Sequence, residues 1–280
     1  MKPSKSWAFL YHAILKNKTV YTILIAICII GFWLFENFYT GKDNPYGAQD
    51  AESRLIRNDF LPELIEDRMV RHKHYVLSYS ETHEQAEWVA YALKQEHLTH
   101  DDRRRPYFIE DPLVTSRSAD WRNYKGSGYD RGHLCPAGDR RFSEFAYNET
   151  FYTSNIAPQR KDFNAGVWNR LEQQVRQWCK TYGTIYVVTG GILEADLPGI
   201  GYEDVTVPEH FFKVVVREEN DKVFAMAFLL PHKESQEPLK NFVVSIDFLE
   251  SQSDLDFFHQ MGKDEQNHLE ASSRLKEWEF

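Results

Sequence analysis

Apolar residues follow three different spacings along this chain, and each predicts a different element. From Thr19 to Phe35 they run without a charged residue, centred on Ile23-Leu24-Ile25-Ala26-Ile27-Cys28-Ile29-Ile30. Such a run is at the low end of what a hydrocarbon core of about 30 Å requires, and Trp33, Phe38 and Tyr39 suit its interface. Lys2, Lys5, Lys16 and Lys18 precede it with no acidic residue. These features predict a basic tail at 1–18 and a transmembrane signal anchor at 19–38. The N-terminus is expected in the cytoplasm and the remainder outside it, in a bacterial periplasm or on an outer surface. No small-residue cleavage site directly follows the run.

Residues 39–74 read as a tether and lead-in, broken by Gly41, Pro45, Gly47 and Pro62. Beyond them, period-two and short continuous apolar runs predict strands at Tyr75–Tyr79, Trp88–Leu93 and Thr184–Leu193. Phe211–Arg217 and Lys222–Leu230 predict a hairpin around Glu218–Asp221, and Asn241–Phe248 a further strand. The spacing changes between them. Asn164, Val167, Leu171, Val175 and Trp178 recur at three and four residues, the mark of an amphipathic helix. Leu255–Met261 and Asp264–Trp278 predict terminal helices. The expected domain at 75–280 is α+β, a central antiparallel sheet with flanking helices.

A hydrophobic content of 42% and an aromatic content of 15% in 280 residues exclude a disordered chain. The net charge of −9 argues against a nucleic-acid partner until its distribution is read. Residues 101–180 carry 14 Lys/Arg against 11 Asp/Glu, so the basic part of an acidic protein coincides with its candidate chemistry. Three cysteines, one of them in the apolar run, make no disulfide framework. His72, His74, His83, His97 and His100 are scattered without the spacing of a metal cage, and Gly190-Gly191 lacks that of a dinucleotide or phosphate loop.

The candidate chemistry lies in Asp130-Arg131-Gly132-His133. A fixed cation and a carboxylate flank the imidazole, a setting for a general base acting on water beside an anionic substrate. On the following helix Asn164 and Glu172 are eight residues apart, roughly 12 Å of rise, too far for both to touch one ion. Asn164 would bind it through an amide oxygen and Glu172 through a water, a ligand set that suits Mg²⁺, with Mn²⁺ able to substitute. Arg140, Arg141, Arg160 and Lys161 are candidates for tracking a phosphate backbone. Asn155 is a candidate for positioning substrate or the site itself.

The ordered set Tyr129-Asp130-Arg131-Gly132-His133-Leu134, Pro136-Ala137-Gly138-Asp139, Ser154-Asn155-Ile156-Ala157-Pro158-Gln159, Asn164, Trp168 and Leu171-Glu172 resembles the DNA/RNA non-specific endonucleases. The resemblance runs from about Tyr75 to the C-terminus. It implies a ββα-metal core and hydrolysis of DNA or RNA to 5′-phosphate products, with Arg131 and Asn155 positioning the site. It also implies an active-site arginine from the segment before Glu110-Asp111-Pro112. Arg105 is the expected donor, with Arg104 the alternative. A homodimer is consistent with the resemblance, as is a mitochondrial inner-membrane location. Two other readings stand beside it: a membrane-tethered capture module that does not cut, and a metal-dependent phosphodiesterase on another substrate.

Overall fold

The computed structural model describes residues 18–34, 56–63, 65–271, 273 and 275–280. The chain divides into two compact units, Met1–Ala48 and Gln49–Phe280. In the first, α1 spans Lys18–Leu34, 17 residues with no acidic residue in the first turn or basic residue in the last. At 1.5 Å per residue it is about 25 Å long, short of a hydrocarbon core. Among the described residues no helix is long and apolar enough to cross a membrane. Of the segment 19–38 expected to span a membrane, residues up to Leu34 are helical, and 35–38 lie outside the described residues. Most of the expected basic tail and residues 35–55 lie outside the described residues.

The second unit is built on a seven-stranded antiparallel sheet. In chain order its strands are β1 Met69–Arg71, β2 Val76–Ser80, β3 Gln85–Leu93, β6 Ile185–Gly191, β9 His210–Glu219, β10 Lys222–Pro231 and β11 Val243–Val244, and they are hydrogen-bonded in that order. Two small ribbons complete the set: β4 Asp130–His133 with β5 Ile156–Gln159, and β7 Gly199–Ile200 with β8 Val205–Thr206. The β9–β10 turn passes through Asn220 and Asp221, both at positive φ, which a two-residue hairpin requires.

Strand alternation gives the sheet two apolar faces. Leu77, Val89, Tyr91, Val187, Phe211, Val215 and Phe228 fill one core. Val76, Trp88, Ala90, Val188, Phe212, Val214 and Ala227 fill the other. Helices are α2 Glu144–Glu149, α3, α4 Ile246–Ser253 and α5 Lys263–Glu270. Helix α3 begins as Lys161–Phe163, widens into a π turn over Asn164–Trp168 and continues as Asn169–Tyr182. It lays Val167, Trp168, Leu171, Val175 and Trp178 on the first core, each at most 1% exposed. Truncating Leu171 to alanine there costs about 2–5 kcal/mol. Helices α4 and α5 cover the opposite face through Ile246, Leu249 and Leu269. From the expected lead-in, Ile56, Phe60 and Leu61 join that second core.

Three predicted elements differ. The helix expected over Asp264–Trp278 ends at Glu270, and only a short 3-10 turn forms at Leu275–Glu277. Of the expected strand 241–248 only Val243 and Val244 pair with β10, because Ser245 caps α4 by accepting the Phe248 N–H at 3.2 Å. The expected helix 255–261 does not form. Asp254 closes α4 in the left-handed region, and Phe257 and Phe258 enter the core from irregular backbone.

Candidate active site

The β4–β5 ribbon and α3 carry the candidate residues. In β4, Asp130, Arg131, Gly132 and His133 face Gln159, Pro158, Ala157 and Ile156. Gly132 is required by packing: a Cβ there would lie 2.2 Å from the buried Gln159 side chain. Leu134 continues the ladder by donating to the Asn155 carbonyl at 3.0 Å. Asn155 itself is fully buried. Its Oδ1 accepts the Cys135 N–H at 2.8 Å, while its Nδ2 donates to the carbonyls of Cys135 at 3.0 Å and Thr150 at 2.9 Å. These bonds hold Cys135, two residues beyond His133, to Thr150, an arrangement that fits positioning of the site.

The His133 ring packs edge-on against Phe151 at 4.9 Å and tilted against Phe108 at 5.6 Å, and its Nε2 is buried without a hydrogen-bond partner. Burial lowers its pKa to about 3, with the Arg105 guanidinium adding to the shift. The imidazole is therefore neutral at physiological pH, with one ring nitrogen unprotonated. Two guanidiniums share the Phe108 ring with it: Arg105 at 5.3 Å and Arg131 at 4.8 Å from the centroid. Arg105 is exposed, and an open cleft of about 900 Å³ lined by Arg104, Arg105, Tyr107, Phe108, Trp121 and Arg131 lies against this cluster. Phe108 thus has the His133 ring and both cations packed on it, and Phe108 and the two arginines line the cleft.

Asn164 sits in the π turn, where its N–H bonds the Arg160 carbonyl at 2.8 Å. Its Nδ2 donates to Asp130 Oδ2 at 3.3 Å, which ties the first residue of β4 to the helix and orients the amide. Among the described residues its Oδ1 accepts no hydrogen bond. The turn is opened at Gly166 (φ −100°, ψ −111°), where a Cβ would collide with the Glu234 carboxylate. Glu234 takes the freed Val167 N–H at 2.9 Å, and Arg170 reaches the Ser235 carbonyl at 2.6 Å. Nearby, His232 accepts the Arg160 N–H at 2.7 Å and donates to the Pro208 carbonyl at 2.8 Å. Burial lowers its pKa to about 4, consistent with that neutral tautomer. The segment 232–237 therefore clamps the helix start. Sequence reasoning missed it, since a polar loop without periodicity gives no signal.

Glu172 is largely buried and bonded to Arg176 Nη2 at 3.4 Å through one oxygen. Arg176 also donates to the buried Asp139 at 2.5 Å. Below them Lys213, fully buried, lies 4.5 Å over the Trp168 ring and donates to Thr189 Oγ1 at 3.1 Å. Burial raises the Glu172 pKa and lowers that of Lys213. The Arg176 and Lys213 cations oppose the first shift, and the Glu172 carboxylate opposes the second. Lys213 was also missed, although a lone lysine inside the apolar run Phe211–Val216 was its signal.

An oriented amide oxygen and a carboxylate restrained through one oxygen are hard donors that leave most of a coordination sphere to water. That chemistry fits a divalent ion of the magnesium type. The other basic candidates separate into two groups. Arg140 is 1% exposed, bonds the carbonyls of His74 at 3.1 Å and Ala92 at 3.2 Å, and lies over Tyr91. It is a core residue, which corrects its assignment to substrate. Arg141 is half-buried and held to the Asp101 carbonyl, while Arg160 and Lys161 are exposed at the start of α3.

Residues 53–264 match the family model for DNA/RNA non-specific endonuclease. The chain is 36% identical over 234 residues to "Nuclease EXOG, mitochondrial" of Danio rerio, covering 77% of this chain and 68% of that protein. It is 32% identical to "Nuclease 1, mitochondrial" of Schizosaccharomyces pombe, covering 88% and 89%. Its fold matches a solved structure described as "Crystal structure of the EndoG/EndoGI complex: Mechanism of EndoG inhibition". That match has a TM-score of 0.71 and 33% identity over 78% of this chain and 96% of that one.

Proposed function

This chain belongs to the DNA/RNA non-specific endonuclease family and is a metal-dependent endonuclease; we propose that it hydrolyses phosphodiester bonds of DNA or RNA with His133 as general base. The observation that carries this reading is the grouping of a neutral imidazole and two guanidiniums around Phe108, with Phe108 and both arginines lining an open cleft.

A phosphodiester entering the cleft meets Arg105 and Arg131, whose donors engage its non-bridging oxygens. Its negative charge offsets the Arg105 cation beside His133, so the imidazole becomes more basic when substrate is present. His133 then withdraws a proton from water as that water attacks phosphorus in line with the leaving 3′ oxygen. Asn164, oriented by Asp130, would hold Mg²⁺ or Mn²⁺ through its amide oxygen, and Glu172 would hold the ion's water. When bound, the ion supplies positive charge for the developing charge on the leaving oxygen. Arg105 stabilises the same charge on the phosphorane-like centre. Asn155, Arg176 and Lys213 hold His133 and Glu172 in place, and Arg141, Arg160 and Lys161 extend the basic surface. The compartment that fits the two named relatives is the mitochondrion.

The test is end-group analysis of plasmid DNA cut by the full chain. Fragments that a ligase rejoins without prior kinase treatment carry the expected 5′ phosphate and 3′ hydroxyl. Fragments with 3′ phosphate would exclude this in-line geometry.

A further inference from the structure

On the face of the sheet opposite α3, the two C-terminal helices meet at three carboxylates. Asp247 and Glu250 stand three residues apart on α4 and so share one helix side, and Glu270 ends α5. One oxygen from each lies within 4.8 Å of the other two. Burial is graded across the group: Asp247 is exposed, Glu250 half-buried and Glu270 5% exposed. Within it, Glu270 is hydrogen-bonded by Gln266, yet its Oε1 is buried with no partner among the described residues, a costly state for a carboxylate oxygen that a ligand would relieve. Glu250 is already oriented, because one of its oxygens accepts the Phe257 N–H at 2.7 Å. Burial, with neighbouring carboxylates adding to it, pushes both Glu250 and Glu270 up to about 7. The cluster takes up either protons or a cation.

We propose that Asp247, Glu250 and Glu270 form a second divalent-cation site, which takes Ca²⁺ as a structural ion joining α4 to α5. Carboxylate oxygens alone select a hard cation over zinc or copper. Calcium accepts irregular oxygen shells at roughly 2.3–2.6 Å, so one ion can span oxygens separated by up to about twice that length. Magnesium demands a near-octahedral shell at about 2.0–2.1 Å and gives up its water reluctantly, so an all-carboxylate group takes it less readily. The exposed Asp247 side leaves room for water in the remaining positions. Bound there, the ion would fasten the two helices that seal the second core through Ile246, Leu249, Phe257, Phe258 and Leu269.

The experiment is thermal unfolding of the metal-stripped full chain against CaCl₂, with MgCl₂ in parallel. Wild type and Asn164→Ala should both gain about 5 °C or more at saturating Ca²⁺, while the double variant Glu250→Gln/Glu270→Gln gains nothing. Should the double variant fail to fold, Asp247→Asn alone, at an exposed position, should shift the calcium midpoint upward by about tenfold or more. The proposal is overturned if wild type gains nothing, if a folded double variant gains as much as wild type, if Asp247→Asn leaves the midpoint unchanged, or if the gain disappears in Asn164→Ala instead. Nuclease activity is not the readout, so failure here leaves the His133 reading intact, and the converse also holds.

Discussion

Asp130 Oδ2 accepts the Asn164 Nδ2–H at 3.3 Å, so the first residue of the Asp-Arg-Gly-His run is tied to a residue 34 positions later, near the start of α3. The amide nitrogen faces the carboxylate, and the amide oxygen is left for a cation. Asp130→Ala should release that orientation. Activity should fall about 10–100-fold, with a higher Mg²⁺ requirement and little change in melting temperature. Asp130→Asn, which keeps an acceptor oxygen, should recover part of the loss. Initial rates across a Mg²⁺ series check this, and an unchanged metal requirement in Asp130→Ala would count against it.

The low pKa of His133 has a measurable signature. Its imidazole resonances should report a neutral ring down to about pH 4 in the free protein, and in Arg105→Gln the midpoint should move upward because the neighbouring cation is gone. The unfolded ring takes its proton near pH 6.5 and the folded ring only near 3. The folded state therefore binds fewer protons between those values, and stability contributed by this group falls as pH drops through that window. Histidine-resolved NMR titration gives both midpoints. A His133 midpoint near 6.5, or one unmoved by Arg105→Gln, contradicts the assigned environment.

Gly132 has no room for a side chain. Gly132→Ala drives a Cβ to 2.2 Å from Gln159, whose own environment is fully buried, and should cost about 1–3 kcal/mol along with most of the activity. Gly132→Ala/Gln159→Ala should recover stability relative to the single glycine variant. A denaturant double-mutant cycle reads this coupling, and simple additivity would refute the contact.

The arginines and lysine of the candidate nucleic-acid surface should divide in the same way as their burial. Arg140→Ala should lower stability by about 3 kcal/mol or more, since it removes a buried cation from three carbonyls and a ring. Arg160→Ala and Lys161→Ala should leave stability within about 0.5 kcal/mol, weaken DNA binding and reduce its salt dependence. Unfolding curves beside binding isotherms at several salt concentrations separate the two classes. A stable Arg140→Ala with weakened DNA affinity would reverse the assignment.

The sheet and α3 were legible from local pattern: short continuous apolar runs in β9 and β10, and three-four spacing from Val167 to Trp178. His133 and Asn164 were legible from their neighbours, and Arg105 from family resemblance alone. What escaped depends on long-range packing. Arg140 reads as a surface cation until His74 and Ala92, 66 and 48 residues away, supply its acceptors. Glu234 acquires meaning only when Gly166 opens the π turn 68 residues before it. The strand expected at 241–248 was lost to a serine cap, whose signal competes with two valines. The transmembrane reading rested on hydropathy, and among the described residues no helix is long and apolar enough to cross a membrane.

The most direct test of the central claim is plasmid nicking by the full chain with Mg²⁺ or with chelator, beside His133→Ala and Asn164→Ala, with folding of each followed by circular dichroism. The account predicts cutting by wild type only with metal, and a loss of about a hundredfold or more in each variant with its fold retained. Wild type that binds DNA but leaves it intact with every divalent ion, or a folded His133→Ala that cuts at the wild-type rate, would contradict it.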